Sequence, residues 1–258
     1  MSTDVLTREL NDRRTPIAAI SAVLVVFAFF VVGISSGLQS TISDLTDAMP
    51  EAVTAFIPVG PGGYVVGELF NLMAPLALIA YAVMTGAALI AGEEQAGTMA
   101  VLSAQPVSRR SMLAQKALGL AVTLAAITLV FAVAVALSAA FFDIEGLTAT
   151  NIAAACLHLY LLALLFGAVA LATGSLTGNP GLASGVGGGL AVAAWVANSM
   201  LPVADLDDWA RISPWHYYVG SEPLANGLDA THLLVLALLT ALALVVAFVS
   251  FDRRDLKG

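Results

Sequence analysis

Six stretches of this sequence run for the thickness of a membrane with almost no ionisable side chains. Their apolar cores are Ile17 to Ile34, Leu72 to Gly92, Ala117 to Phe142, Ile152 to Gly174, Leu182 to Leu201 and Leu233 to Phe251. About 20 mainly apolar residues, each rising about 1.5 Å, cross the roughly 30 Å of a bilayer's hydrocarbon. In that medium backbone polar groups must be satisfied within each segment, so each segment is a helix. Hydrophobic residues make up 59% of the 258-residue chain and charged residues 11%, against about 45–50% and about 25% in soluble domains. One soluble core cannot hide that excess. The expected fold is an all-α polytopic membrane protein with six transmembrane helices.

With their polar flanks, the spans are expected at 17–38, 64–92, 109–142, 150–175, 181–202 and 231–252, in a single transmembrane domain covering 1–258. Residues 1–15 ("DVLTRELNDRR" with its flanks) are expected to lie as a short amphipathic helix in the membrane interface, with a solvated tail as the alternative. The first span outruns a signal-peptide core, and no small-residue cleavage site follows it. Cys156 is the sole cysteine and falls within a span. No Cys/His cluster points to a metal.

Lys and Arg near the spans set orientation. With six spans, Arg8, Arg13, Arg14, Arg109, Arg110, Lys116, Arg253, Arg254 and Lys257 all fall on one side, and only Arg211 on the other. Both termini are therefore expected in the cytoplasm of a cell-membrane protein. The opposite side is acidic, which accounts for the net charge of −8 and points away from a nucleic-acid partner.

Several segments add detail. Pro75 falls inside the second span and is expected to weaken or kink it. Glu68 and Asn71, one turn apart at its outer end, and Asn198 in the fifth span are candidates for a substrate path, with a headgroup-level position as the alternative. Asn179-Pro180-Gly181 is strong turn chemistry between spans four and five. Gly181, Gly185 and Gly189 then recur every four residues, a smooth face for close helix packing. Residues 204–228 are too polar to span. Trp209, Trp215, Tyr217 and Tyr218, with a break at Pro214, are expected on short outer helices at or dipping into the membrane interface.

No engine is visible in the spans. His158 is the one membrane-centre group suited to proton transfer, and no carboxylate lies near it in sequence; a packed imidazole is the simpler reading. The chain has no GxxxxGK[ST] loop, no nucleophile–base set, and no expected catalytic residue or cofactor of its own. Glu93-Glu94 resembles the start of a Glu-Glu-x-x-x-Arg intramembrane-protease motif, but Thr98 stands at the arginine position. Uphill transport by such a chain must be driven from outside it.

The place to drive it is the polar insert 93–104, between spans two and three. The second span is expected to end at Gly92, leaving Glu93 and Glu94 in water. A short helix then carries Met99, Val101 and Leu102 until Pro106 stops it. Ser108 suits the N-cap of the next span, with Arg109 at headgroup level. The acidic start is expected to pair with basic groups of a docked protein while Met99 and Leu102 fill a pocket. An ordinary polar loop is the alternative.

Gly92, Glu93, Glu94, Gly97, Thr98, Leu102, Pro106, Val107, Ser108, Arg109 and Lys116 match the Gly-Glu-Glu-x-x-Gly-Thr … Leu-x-x-x-Pro-Val-Ser-Arg … Lys pattern of ABC-2 type transporter permeases. "ISPWHYY" and the terminal "FDRRDL" are similar to that family's segments around the last span. Met99 and Ala100 depart from it, standing where larger aliphatics or acids are frequent. The resemblance implies six spans, a cytoplasmic coupling helix and short outer re-entrant helices before the last span. It implies a dimer with a second permease subunit and two cytoplasmic ABC ATPase subunits that bind ATP and Mg. Glu93, Glu94, Gly97, Thr98, Met99, Leu102, Pro106 and Arg109 would contact those ATPases. Exporter, ATP-independent scaffold or assembly factor, and proton-coupled transporter are the readings in contention.

Overall fold

The computed structural model describes residues 13–47, 67, 69–97, 108–144 and 146–254. Most of the N-terminal helix expected over 1–15, Glu68, and the insert from Thr98 through Pro106, Met99 and Leu102 included, lie outside the described residues.

Among the described residues there are six long helices: α1 (Arg14–Asp47), α2 (Leu69–Gln95), α3 (Arg109–Phe141), α4 (Ala149–Thr177), α5 (Pro180–Met200) and, last of them, α9 (Ala230–Arg253). All six are long and apolar enough to cross a membrane. Between α5 and α9 lie a 3-10 turn at Pro202–Ala204 and three single-turn α-helices, α6 (Asp207–Ala210), α7 (His216–Val219) and α8 (Pro223–Asn226). No strand occurs among the described residues.

The N-termini are cut by capping side chains that satisfy otherwise orphaned N–H groups. Ser108 Oγ accepts from Ser111 N at 3.2 Å, and Thr148 Oγ1 accepts from Asn151 N at the same distance. Asn179 Oδ1 accepts from Leu182 N at 3.0 Å, with Pro180 in the first turn. Asp229 Oδ1 accepts from Thr231 N at 2.8 Å and His232 N at 3.0 Å. Hydroxyls within the spans bond back to their own helix: Thr128 to Leu124 O, Thr240 to Leu236 O. That is the local solution for a polar group with no water at hand.

Helix α4 is the hub, packed on α2, α3, α5 and α9, while α1 lies on α3. The apolar windows of α2 and α4 are each 67% buried, against 22% for α1, 22% for α5 and 17% for α9. The approach of α2 to α4 depends on a pair of glycines. A Cβ on Gly86 would lie 2.2 Å from the Gly167 carbonyl oxygen, a distance no side chain tolerates.

Sequence expectation is revised at the end of the second span and given detail in two other places. Helix α1 runs nine residues past the expected end of the first span, to Asp47. Helix α2 does not stop at Gly92, which keeps helical φ −66°, ψ −42°; the helix continues through Gln95. It turns off at Gly97, whose φ of +72° is reached at least cost without a Cβ. Among the described residues the Gly181/Gly185/Gly189 face meets no other helix: added Cβ atoms on Gly185 and Gly189 find open space, and one on Gly181 meets its own Asn179 cap. Gly187, on another face, packs closely instead: a Cβ there would lie 3.0 Å from the Ala170 Cβ and 3.3 Å from the Phe166 carbonyl oxygen. Period-four spacing shows which glycines share a face; it does not show which face meets a neighbour.

Pro75 produces a local adjustment without ending the helix. Residues Leu69–Met73 form a π-helical turn just before it. Proline has no N–H to offer a carbonyl one turn back. The Phe70 carbonyl is instead taken by the buried Tyr218 hydroxyl at 2.5 Å.

Candidate functional site

At the basic end of the bundle, the helix ends converge on an ion-pair cluster. Lys116, on α3, is only 1% exposed, and its Nζ donates to Glu93 Oε1 at 2.6 Å. Glu94, 6% exposed, pairs with Arg254 just past the end of α9. The Arg254 Nη1 also donates to Ser175 O at 2.9 Å and Gly174 O at 3.2 Å, two carbonyls in the last turns of α4. Those carbonyls form the partial negative end of the helix, where a cation is favoured. Burial pushes the Arg254 guanidinium down from its ordinary pKa, yet such a group does not deprotonate near neutrality. Its bonds to Glu94 and the two carbonyls offset the desolvation.

The far root of the insert reaches the same place. Arg110 Nε donates to Asp252 Oδ2 at 2.5 Å, and Arg109 Nη1 donates to the Arg254 carbonyl at 3.0 Å. Gly178 closes α4 at φ +64°; a Cβ there would come within 2.5 Å of Arg254 Nη2 and 2.8 Å of Glu94 Oε2. The cluster leaves no room for a side chain at that corner.

The expectation that Glu93 and Glu94 stand in water is therefore corrected. The unbroken helix through Gln95 carries both carboxylates back against the bundle, where basic groups from α3 and α9 neutralise them. Lys116, Asp252 and Arg254 were not singled out as site residues by sequence reasoning, although "FDRRDL" drew notice. The available signal was the pairing of two acids with a lysine one span later and an arginine at the end of the last.

At the opposite end the short helices are stapled to the bundle. Ser213 Oγ donates to Ala194 O of α5 at 2.7 Å. Asn151 Nδ2 of α4 donates to Leu224 O and Ala225 O at 3.0 and 3.1 Å. Of the aromatics expected at a membrane interface, Trp209 is 59% exposed, whereas Trp215 and Tyr218 are buried and pack edge to face at 6.1 Å. Those two are core residues, because Tyr218 is needed at the Phe70 carbonyl. Tyr217 is half-buried, as is Pro214. Tyr217, His216 and His232 form a ring cluster with centroids 5.3–5.5 Å apart. His216 is held below its ordinary pKa of 6.5 by desolvation, then by His232 and Arg211. Asp229 is lowered chiefly by the His232 backbone N–H it accepts.

Asn198, Asp208, Arg211, His216 and Val219 line a cavity of about 310 Å³ beside this cluster. A second, of about 340 Å³, lies along Ser221, Asn226 and Asp229. Asn71 is exposed at the start of α2 and lines neither. Asn71 and Asn198 are thus not brought together at one cavity. His158 is fully buried; its Nδ1 lies 2.9 Å from the Ala154 carbonyl, so that nitrogen carries a proton and donates it. Among the described residues no carboxylate hydrogen-bonds the ring.

Six apolar helices, a hub helix with glycine-mediated contacts, and charged groups gathered at the helix ends define a multi-pass α-helical membrane protein. No curated relative matches the chain. The family described as "ABC-2 family transporter protein" matches residues 5–256. The chain belongs to that family, as a membrane component of an ABC transporter.

Proposed function

We propose that this chain is the permease subunit of an ATP-driven exporter in the cell membrane, with both termini and the insert in the cytoplasm. Two ABC ATPase subunits, carrying ATP and Mg, dock on the insert, and the chain itself has no catalytic role. A second permease copy or a homologue completes the dimer. The open Gly181/Gly185/Gly189 face of α5 suits that contact, since small residues let membrane helices approach closely. The apolar spans favour a hydrophobic or amphipathic substrate.

One observation carries the reading beyond family membership. Both roots of the insert are tied by charge to the ends of α3, α4 and α9, so a push on the insert is delivered to several spans at once. An ordinary loop needs no such anchoring.

The test is reconstitution. Copies purified with their companion ATPase are expected to stimulate ATP hydrolysis, and Gly97→Val, strained at φ +72°, is expected to uncouple hydrolysis from transport. An ATPase that never co-purifies would leave the scaffold reading in its place. Active transport in the absence of any nucleotide would favour a proton-coupled carrier.

A further inference from the structure

The basic-end cluster contains more than an anchor for the insert. Arg254, just past the end of α9, ties that helix to two others: to Glu94 at the end of α2 and to the Gly174 and Ser175 carbonyls of α4. Its carbonyl in turn accepts from Arg109 at the start of α3, and its neighbour Asp252 accepts from Arg110. The end of α9 is thus clamped between the residues that enter the insert and those that leave it.

The other end of α9 reaches the opposite side of the bundle. Its 24 residues span about 36 Å at about 1.5 Å per residue. Near its N-terminus His232 packs on His216 and Tyr217, and His216 lines the 310 Å³ cavity. Helix α9 also packs along α4 for much of its length and on α7. Only 17% of its apolar window is buried, so few contacts within the chain restrain it apart from those at its ends and along α4.

We infer that Arg254 is a positioning residue that makes α9 follow the insert, so that displacement at the basic end is passed along α9 to the His216/His232/Tyr217 cluster and the cavity beside it. The physical basis is that Glu94 and Arg254 are both largely withdrawn from water, 6% and 19% exposed. Separating them gives up a charge-assisted contact between two groups withdrawn from water, so the two move together. Simultaneous bonding to the α4 carbonyls makes α4 and α9 move as a pair. Lysine, a point charge, cannot hold the carboxylate and both carbonyls in one plane as a guanidinium does.

This inference rests on the ATPase-driven reading, and the experiment separates the two. Cys156→Ser removes the only cysteine, and Val219→Cys places a reporter on the cavity wall. The full chain, reconstituted in vesicles with its co-purifying ATPase, is labelled with a maleimide with and without ATP while hydrolysis is followed in parallel. ATP is expected to change the labelling rate by about tenfold, the usual size of a coupling between sites. In Arg254→Gln the change should shrink to less than about twofold while hydrolysis continues, and Arg254→Lys should fall between. Glu94→Gln combined with Arg254→Gln should be no worse than Arg254→Gln alone, because both break one link. Should Arg254→Gln fail to insert, Arg254→Lys and Glu94→Gln decide the matter by the same readout. An undiminished ATP response in these variants, or effects that multiply in the double variant, overturns the role of Arg254 alone. A parent chain that neither stimulates hydrolysis nor responds to ATP overturns the ATPase reading, and this inference with it.

Discussion

Lys116 illustrates what a single buried charge demands. At 1% exposure its side chain has left water, and Glu93 accepts from its ammonium at 2.6 Å. Breaking a buried ion pair by removing one member costs about 3–5 kcal/mol, whereas replacing both is far milder. Thermal unfolding in detergent is therefore expected to show Lys116→Met and Glu93→Gln each strongly destabilised and the double variant closer to wild type. Additive losses would refute the pairing. Tyr218→Phe should cost about 1–3 kcal/mol by leaving the Phe70 carbonyl unsatisfied, measurable on the same unfolding curves. His216 gives a pH dependence. Its folded pKa lies below the ordinary 6.5, so the folded state binds fewer protons there than the unfolded state. Its contribution is present above that value and lost as pH falls through it toward the folded pKa. Asp229 acts in the same sense further down, in the carboxylate range. The drop in melting temperature on acidification from pH 7.5 through pH 6 is expected to be smaller in His216→Asn than in the parent.

Among the elements, two glycine sites separate contacts within the chain from contacts outside it. Gly86→Ala forces α2 away from α4, since the added carbon meets the Gly167 carbonyl at 2.2 Å; overpacking of this kind costs about 1–3 kcal/mol. Gly185→Leu meets open space within the chain. It should leave the unfolding midpoint of the isolated subunit unchanged while weakening subunit pairing, read by light scattering or cross-linking in nanodiscs. A lowered midpoint in the isolated subunit would count against that outward face. The six spans were legible from the sequence because their periodicity did not matter: length and lack of charge suffice. The N-caps at Ser108 and Asn179 were legible too, since capping is decided within a few residues. Which glycine face is used was not, because it depends on the helix lying opposite.

For the molecule as a whole, orientation is the proposal most easily tested. In the cysteine-free background, Arg253→Cys is expected to react with a membrane-impermeant maleimide only after the membrane is permeabilised, and Leu228→Cys in intact cells. The reverse pattern would invert the topology and move the insert to the wrong side for a cytoplasmic ATPase. The motif at Gly92 to Arg109 was readable as a family signature, and membership of the ABC-2 family bears that out. The ion pairs of Glu93 and Glu94 were not readable, since their partners lie 23 and 160 positions away.

By itself the sequence determined that this chain is a six-span helical membrane protein with a charged insert. Those properties follow from the free energy of placing each segment in hydrocarbon or water, which is a sum over neighbouring residues. Only the tertiary structure decided that the insert's acids are paired inward, that Trp215 and Tyr218 are core residues, and that α9 is held at the insert by Arg254. Each of these depends on which helix ends meet in space, and a buried charge or hydroxyl finds its partner across the fold rather than along the chain.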